Sequence, residues 1–132
     1  MKVLALDFGR ARTGVAVSDP TGTVARPVGV VERAASEAGL AELARLVREQ
    51  EAGLVVVGLP LTLRGERGEQ ARETEAFVEA LRRVVGVRVE TYDERFTTGL
   101  AARDEASRAP EDARAAAHLL SSYLAWSSAA RA

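Results

Sequence analysis

Apolar residues along the chain fall into short dense runs and longer spaced stretches, and the two kinds succeed one another in a definite order. Residues 2–7, KVLALD, are a short apolar run that stops at a carboxylate, as a buried strand does. GVAVSD (14–19) alternates Val15 and Val17 with small or polar positions and predicts a second strand, with Gly9 and Gly14 bracketing the tight connection before it. Asp19, Pro20 and Gly22 predict a turn. A third strand falls within Thr23–Val31, where Pro27 marks an edge or a break. Over residues 36–50 the spacing changes to Leu40, Leu43, Ala44 and Val47, the stripe of an amphipathic helix, with Ser36 as its N-cap. LVVVG (54–58) is apolar throughout and predicts a strand covered on both faces. A second helix over 69–85 turns Phe77, Val78, Leu81 and Val84 to one side. VRVETY (87–92) alternates again as a fifth strand, and a last helix covers about 110–127.

The order β-β-β-α-β-α-β-α has short links between the first three strands and helical crossovers afterwards. It predicts an antiparallel meander continued by parallel strands, hence a mixed five-stranded sheet with helices on its faces. The 132 residues suit a single domain, and no repeat, linker or low-complexity stretch divides them. Hydrophobic residues at 47% and charged residues at 28% are a globular balance that argues against disorder. The absence of cysteine excludes disulfides and thiolate metal sites and is compatible with a reducing cytosol. MKVLALDFGR does not read as a signal peptide, and no apolar stretch approaches membrane-spanning length, so a cytoplasmic location without membrane contact is expected. The formal net charge of −1 does not advertise nucleic-acid binding, nor does it oppose it, because local patches matter more than the sum.

Acids in three segments carry candidate chemistry. Asp7 closes the first strand just before Gly9, at the strand end where ligands collect in open α/β sheets; an Asp that only initiates a turn would look the same. Asp93 and Glu94 follow the fifth strand, and their alternation sends one of them to such a site; a solvated loop with Arg95 paired locally is the other reading. Asp112 stands in the first turn of the last helix, after Pro110 at its first position, where the helix dipole alone would account for it. Yet 112, 116, 119 and 123 share one helical face, so Asp112 heads the core-facing stripe of Ala116, Leu119 and Tyr123. Three carboxylates converging at one sheet edge would form a hard-oxygen site suited to Mg²⁺ or Mn²⁺ and to phosphodiester hydrolysis. His118, the single histidine, lies off the Asp112 face. The loop GLPLTLRGERG (58–68) brings Arg64, Arg67 and Arg72 as candidate phosphate contacts, without a Walker pattern.

Four blocks together, DFGRARTGVAVSD (7–19), VVVGLPL (55–61), DERFTT (93–98) and DARAAAHLLSSYL (112–124), resemble the signature blocks of the YqgF/RuvX family in order and spacing over essentially the whole chain. The resemblance implies an RNase H-like fold, strand order 3-2-1-4-5 with strand 2 antiparallel, as one nuclease domain over 1–132. It implies a Mg²⁺- or Mn²⁺-dependent hydrolase whose catalytic and metal-holding acids are Asp7, Glu94 and Asp112. Arg12, Arg64, Arg95 and Thr97 are then the nucleic-acid contacts. Processing of the 5′ end of precursor 16S ribosomal RNA is the implied activity. Resolution of four-way DNA junctions, which calls for a homodimer, and a non-catalytic nucleic-acid-binding module are the alternatives; structured RNA or branched DNA, and a ribosomal partner, are the implied partners. The chain departs from the family in the short segment Gly99–Glu111, where a longer lysine-rich stretch is usual.

Overall fold

The computed structural model describes residues 1–62, 64–96 and 110–131, with no account of the side chains of Phe96 and 129–131. Five strands, β1 (Lys2–Asp7), β2 (Arg12–Ser18), β3 (Ala25–Glu32), β4 (Ala52–Leu59) and β5 (Arg88–Asp93), form one sheet in the order β3-β2-β1-β4-β5. β2 runs antiparallel to both β1 and β3, and β4 lies parallel to β1 and β5. Three helices follow the expected sequence, α1 (Glu37–Glu49), α2 (Glu69–Arg82) and α3 (Glu111–Arg131), with a one-turn 3₁₀ helix at Glu94–Phe96. No helix among the described residues is long and apolar enough to cross a membrane.

The strand pleat divides the core in two. Leu4, Leu6, Val15, Val55, Val57 and Val89 face α1 and α2, where they meet Leu43, Val47, Phe77, Val78 and Leu81. Val3, Ala5, Ala16, Leu54, Val56 and Tyr92 face the other way, onto Ala116, Leu119, Leu120 and Tyr123 of α3. The central strands β1 and β4 are therefore apolar on both faces, which is why their sequences read as unbroken runs. Ser36 caps α1 by accepting from the Gly39 amide at 3.0 Å. Asp19 holds the β2–β3 turn by accepting from the amides of Thr23 (2.7 Å) and Val24 (2.9 Å).

Three sequence expectations are corrected. Gly14 does not bracket the first turn; it lies inside β2, which begins at Arg12, and pairs with Asp7. Val84 does not continue the apolar face of α2. The helix ends at Arg82, so Val84 is 42% exposed and Val85, in the following turn, is buried instead. Pro110 precedes α3 instead of opening it, and its carbonyl accepts the amide of Arg114 at 3.0 Å, as an N-cap carbonyl does. Pro27 lies on the edge strand β3, at an irregularity where Val15 pairs with Gly29 but Ala16 with Pro27, so that Val28 is the extra residue of a bulge.

Candidate nucleic-acid cleavage site

Sheet register sets the site. Leu6 pairs with Val57 and Leu59 with Asp93, so the carboxyl ends of β1, β4 and β5 finish side by side. Asp7 ends β1, Gly58 stands near the end of β4, and Glu94 opens the 3₁₀ turn directly after β5. That turn resolves the ambiguity of the adjacent acids. Asp93 stays with Arg95, whose Nε donates at 2.9 Å and whose Nη2 donates at 2.6 Å to the carboxylate; the hydrogen bonds hold Asp93 below the ordinary carboxylate range. Glu94 turns inward and hydrogen-bonds Asp7.

Both carboxyls of this pair are half-buried and pushed towards the protonated form. For Glu94 desolvation is the largest cause, followed by the charge of Asp7 and the hydrogen bond to it, and together they raise it to about 7. Asp7 is raised by desolvation and by the charge of Asp112, against the lowering effect of the Glu94 hydrogen bond. The directions describe a carboxylic acid on Glu94 donating to a carboxylate on Asp7, because two such charges in a poorly solvated corner cannot both ionise cheaply. Oxygen donors that repel each other until a proton or a cation joins them fit a hard dication by their chemistry. Among the described residues, however, no group of three or more His, Cys, Asp or Glu side chains forms a ready-made ion site. The structure joins Asp7 to Glu94 and leaves Asp112 at electrostatic range, where Arg12 takes it in an ion pair (Nε–Oδ2 3.4 Å).

Two glycines make this arrangement sterically allowed. A Cβ on Gly58 would stand 2.5 Å from Glu94 Oε1, so the bare backbone of β4 is the floor on which Glu94 lies. A Cβ on Gly14 would stand 1.8 Å from the carbonyl oxygen of Asp112, so β2 receives the first turn of α3 only through a glycine. Replacing Gly58 by Ala is expected to change stability by less than about 1 kcal/mol, since the obstructing atoms belong to a flexible side chain. It should swing Glu94 off Asp7, and the Glu94 carboxyl, followed by NMR titration, should fall from about 7 towards its ordinary value of 4.5. An unchanged titration would mean that Gly58 does not place Glu94.

Asp7 and Glu94 open onto a cleft of about 560 Å³ whose other walls are Phe8, Gly9, Arg10, Pro60, Gln70, Glu73 and Thr74. Phe8 stacks on Phe77 of α2 with ring centroids 4.3 Å apart and fixes the spacing of the two sides. Of the expected nucleic-acid contacts, Arg12 lies at the Asp112 side and Arg95 packs against Gly65 in the loop after β4. Arg64 is exposed in the same loop, and Thr97 lies outside the described residues. Arg10 and the α2 wall were not anticipated. The signal of the α2 wall was present in the register of that helix, where Gln70, Glu73 and Thr74 head the stripe that continues through Phe77, Val78 and Leu81, the same logic that singled out Asp112; Arg10, in the β1–β2 turn, carried no such signal.

Comparison with known proteins fits this geometry. The family described as RuvX, Holliday junction resolvase, matches residues 1–126. The chain belongs to the RuvX family. A relative from Anaeromyxobacter sp. (strain Fw109-5), provisionally named a pre-16S rRNA nuclease, is 44% identical over 134 residues, covering 94% of this chain and 96% of its own. Another of the same provisional name, from Rubrobacter xylanophilus, is 47% identical over 130 residues, covering 93% and 91%. Among solved structures, RuvC of T. thermophilus in complex with a Holliday junction substrate superposes with a TM-score of 0.69 over 98% of this chain and 96% of that one. At 18% identity, that likeness establishes the fold alone, an RNase H-like one, for this RuvX chain.

Proposed function

We propose that this RuvX chain is a Mg²⁺- or Mn²⁺-dependent nuclease that hydrolyses phosphodiester bonds at the Asp7–Glu94 edge of the sheet, with precursor 16S ribosomal RNA as its substrate. The observation that carries the reading is the half-buried carboxyl pair at the convergent ends of β1 and β5, opening onto a cleft. Membership of the RuvX family and the names of the relatives from Anaeromyxobacter and Rubrobacter support the substrate class.

Asp7 and Glu94 would hold the cation, with Asp112 joining them from α3. When bound, a divalent ion supplies charge stabilisation to the phosphate under attack and lowers the pKa of water. The protein's own residues supply the rest. The proton shared by Glu94 and Asp7 keeps the pair from carrying two charges at once, and the two carboxyls would have to release it in order to hold a cation. Arg12 holds Asp112 in place through an ion pair exposed enough to exchange partners, and can then turn to a phosphate. Arg64 and Arg95, at the loop after β4, would contact the backbone further along. Phe8 on Phe77 keeps the cleft wall apolar next to the reacting edge.

The family description and the RuvC fold favour a second substrate, a four-way DNA junction. Purified protein offered precursor 16S RNA and a four-way junction, each with Mg²⁺ and with Mn²⁺, distinguishes them. Cleavage of the RNA near its 5′ end with an intact junction is expected. Paired, symmetric cuts in the junction by a dimer would transfer the assignment to DNA, and no cut in either, with either ion, would overturn the nuclease reading.

A further inference from the structure

On the wall of the cleft facing the carboxyl pair, Arg10 reaches from the β1–β2 turn to α2. Its Nε donates to Glu73 Oε2 at 2.7 Å, its Nη2 donates to Glu73 Oε1, and Glu69 Oε1 stands 3.5 Å from the same nitrogen. Among the described residues, Arg10 is the one cation lining a cleft whose other ionisable walls, Asp7, Glu73 and Glu94, are all acidic. Its side chain is 74% exposed and that of Glu73 31%. The Arg10 fork is thus engaged two-pronged by a carboxylate, in the geometry that also suits a phosphodiester, yet in water, where such a pair contributes little to folding. An anionic backbone entering the cleft meets two acidic walls and this single fork.

We propose that the cleft between the β1–β2 turn and α2 is a subsite for a nucleic-acid phosphate beside the one attacked, with Arg10 as its cation and Glu73 as the built-in competitor that holds Arg10 until the phosphate displaces it. The proposal rests on the nuclease reading above and adds a residue that none of the four signature blocks singles out for a role. Glu73 tunes the subsite. It keeps the fork oriented towards the cleft and opposes weak anions, while a polyanion outcompetes it through its other contacts.

The test measures binding of a 20-nucleotide single-stranded RNA and of a four-way DNA junction by fluorescence anisotropy, in Mg²⁺, across a salt series. Every variant carries Asp7→Asn so that nothing is cut. Arg10→Gln is expected to weaken binding of the preferred probe about tenfold and to reduce the slope of log Kd against log salt by about 0.7 on single-stranded RNA, the loss of one phosphate contact. Glu73→Gln should tighten binding about three- to fivefold. In the Arg10→Gln background that gain should vanish, because Glu73 acts through Arg10. A gain that persists there would show Glu73 to be a general repulsive charge and overturn the competitor role. An unchanged slope in Arg10→Gln, with the chain still folded by circular dichroism, would overturn the subsite and leave the nuclease reading standing. A parent chain that binds neither probe would overturn both.

Discussion

Asp7→Asn is expected to reduce phosphodiester cleavage by at least ~10³-fold, about 4 kcal/mol of transition-state stabilisation, while making the protein more stable. The two effects have one origin. Asp7 and Glu94 are half-buried acids whose ionised forms are disfavoured by desolvation and by each other. The folded pKa of Glu94, about 7, lies above its ordinary 4.5, so the folded chain binds protons more tightly than the unfolded one. Stability linked to this pair is therefore fully present below the unfolded values and is lost as pH rises through about 7. Replacing Asp7 by Asn removes the charge that opposes Glu94, and at pH 8 without divalent ions should raise stability by about 1–2 kcal/mol once solvent screening is allowed for. Thermal unfolding of both chains in chelator at pH 5 and pH 8 shows it as a gain in Tm that is larger at pH 8. Undiminished cleavage by Asp7→Asn would sink the assignment of the site; equal gains at the two pH values would sink the account of the pair.

Gly14→Ala should produce the largest loss of stability of any single methyl added to the sheet, about 3 kcal/mol, or a fall in Tm on the order of 10 °C for a domain of this size. Ordinarily an alanine in a strand is favoured over glycine by about 0.5–1 kcal/mol. Here that preference is overwhelmed, because the new Cβ would lie 1.8 Å from the Asp112 carbonyl oxygen and 3.1 Å from the Ala113 nitrogen, both backbone atoms that no rotamer change can move. Either α3 lifts off β2 or its first turn unwinds, and Asp112 leaves the site in both cases. Gly29→Ala, on the edge strand β3 with no heavy atom within 4 Å of its added Cβ, is the control and should be neutral or mildly stabilising. Equal effects of the two substitutions by denaturant unfolding would show that the contact with α3 is not what demands glycine at position 14.

The alternation of Val15 and Val17, the unbroken LVVVG run and the Leu40–Val47 stripe were enough to write the element order and the mixed sheet. Burial dictates hydrophobic period, and period is a local property. Ser36 and the Asp19 turn were legible for the same reason, since a cap or a turn recruits side chains within a few residues. Helix ends were less so. Val84 has the spacing of the α2 stripe, but the helix stops at Arg82, where the chain must turn back to reach β5, and no local preference records that demand.

At the site the division is sharper. The sequence by itself determined that acids stand at the ends of the first and fifth strands and at the head of the last helix, and the four blocks around them carried the family. Only the tertiary structure decided what those acids do to one another. It chose Glu94 over Asp93 by ending β5 at Asp93 and starting a 3₁₀ turn at Glu94, joined Glu94 to Asp7 over the bare backbone of Gly58, and kept Asp112 at electrostatic range with Arg12. It also set Arg10 against Glu73, 63 residues away in the chain. Proton sharing, displaced pKa values and competition for a guanidinium all depend on distances between segments remote in sequence, and such distances are fixed by sheet register and helix packing, not by local pattern.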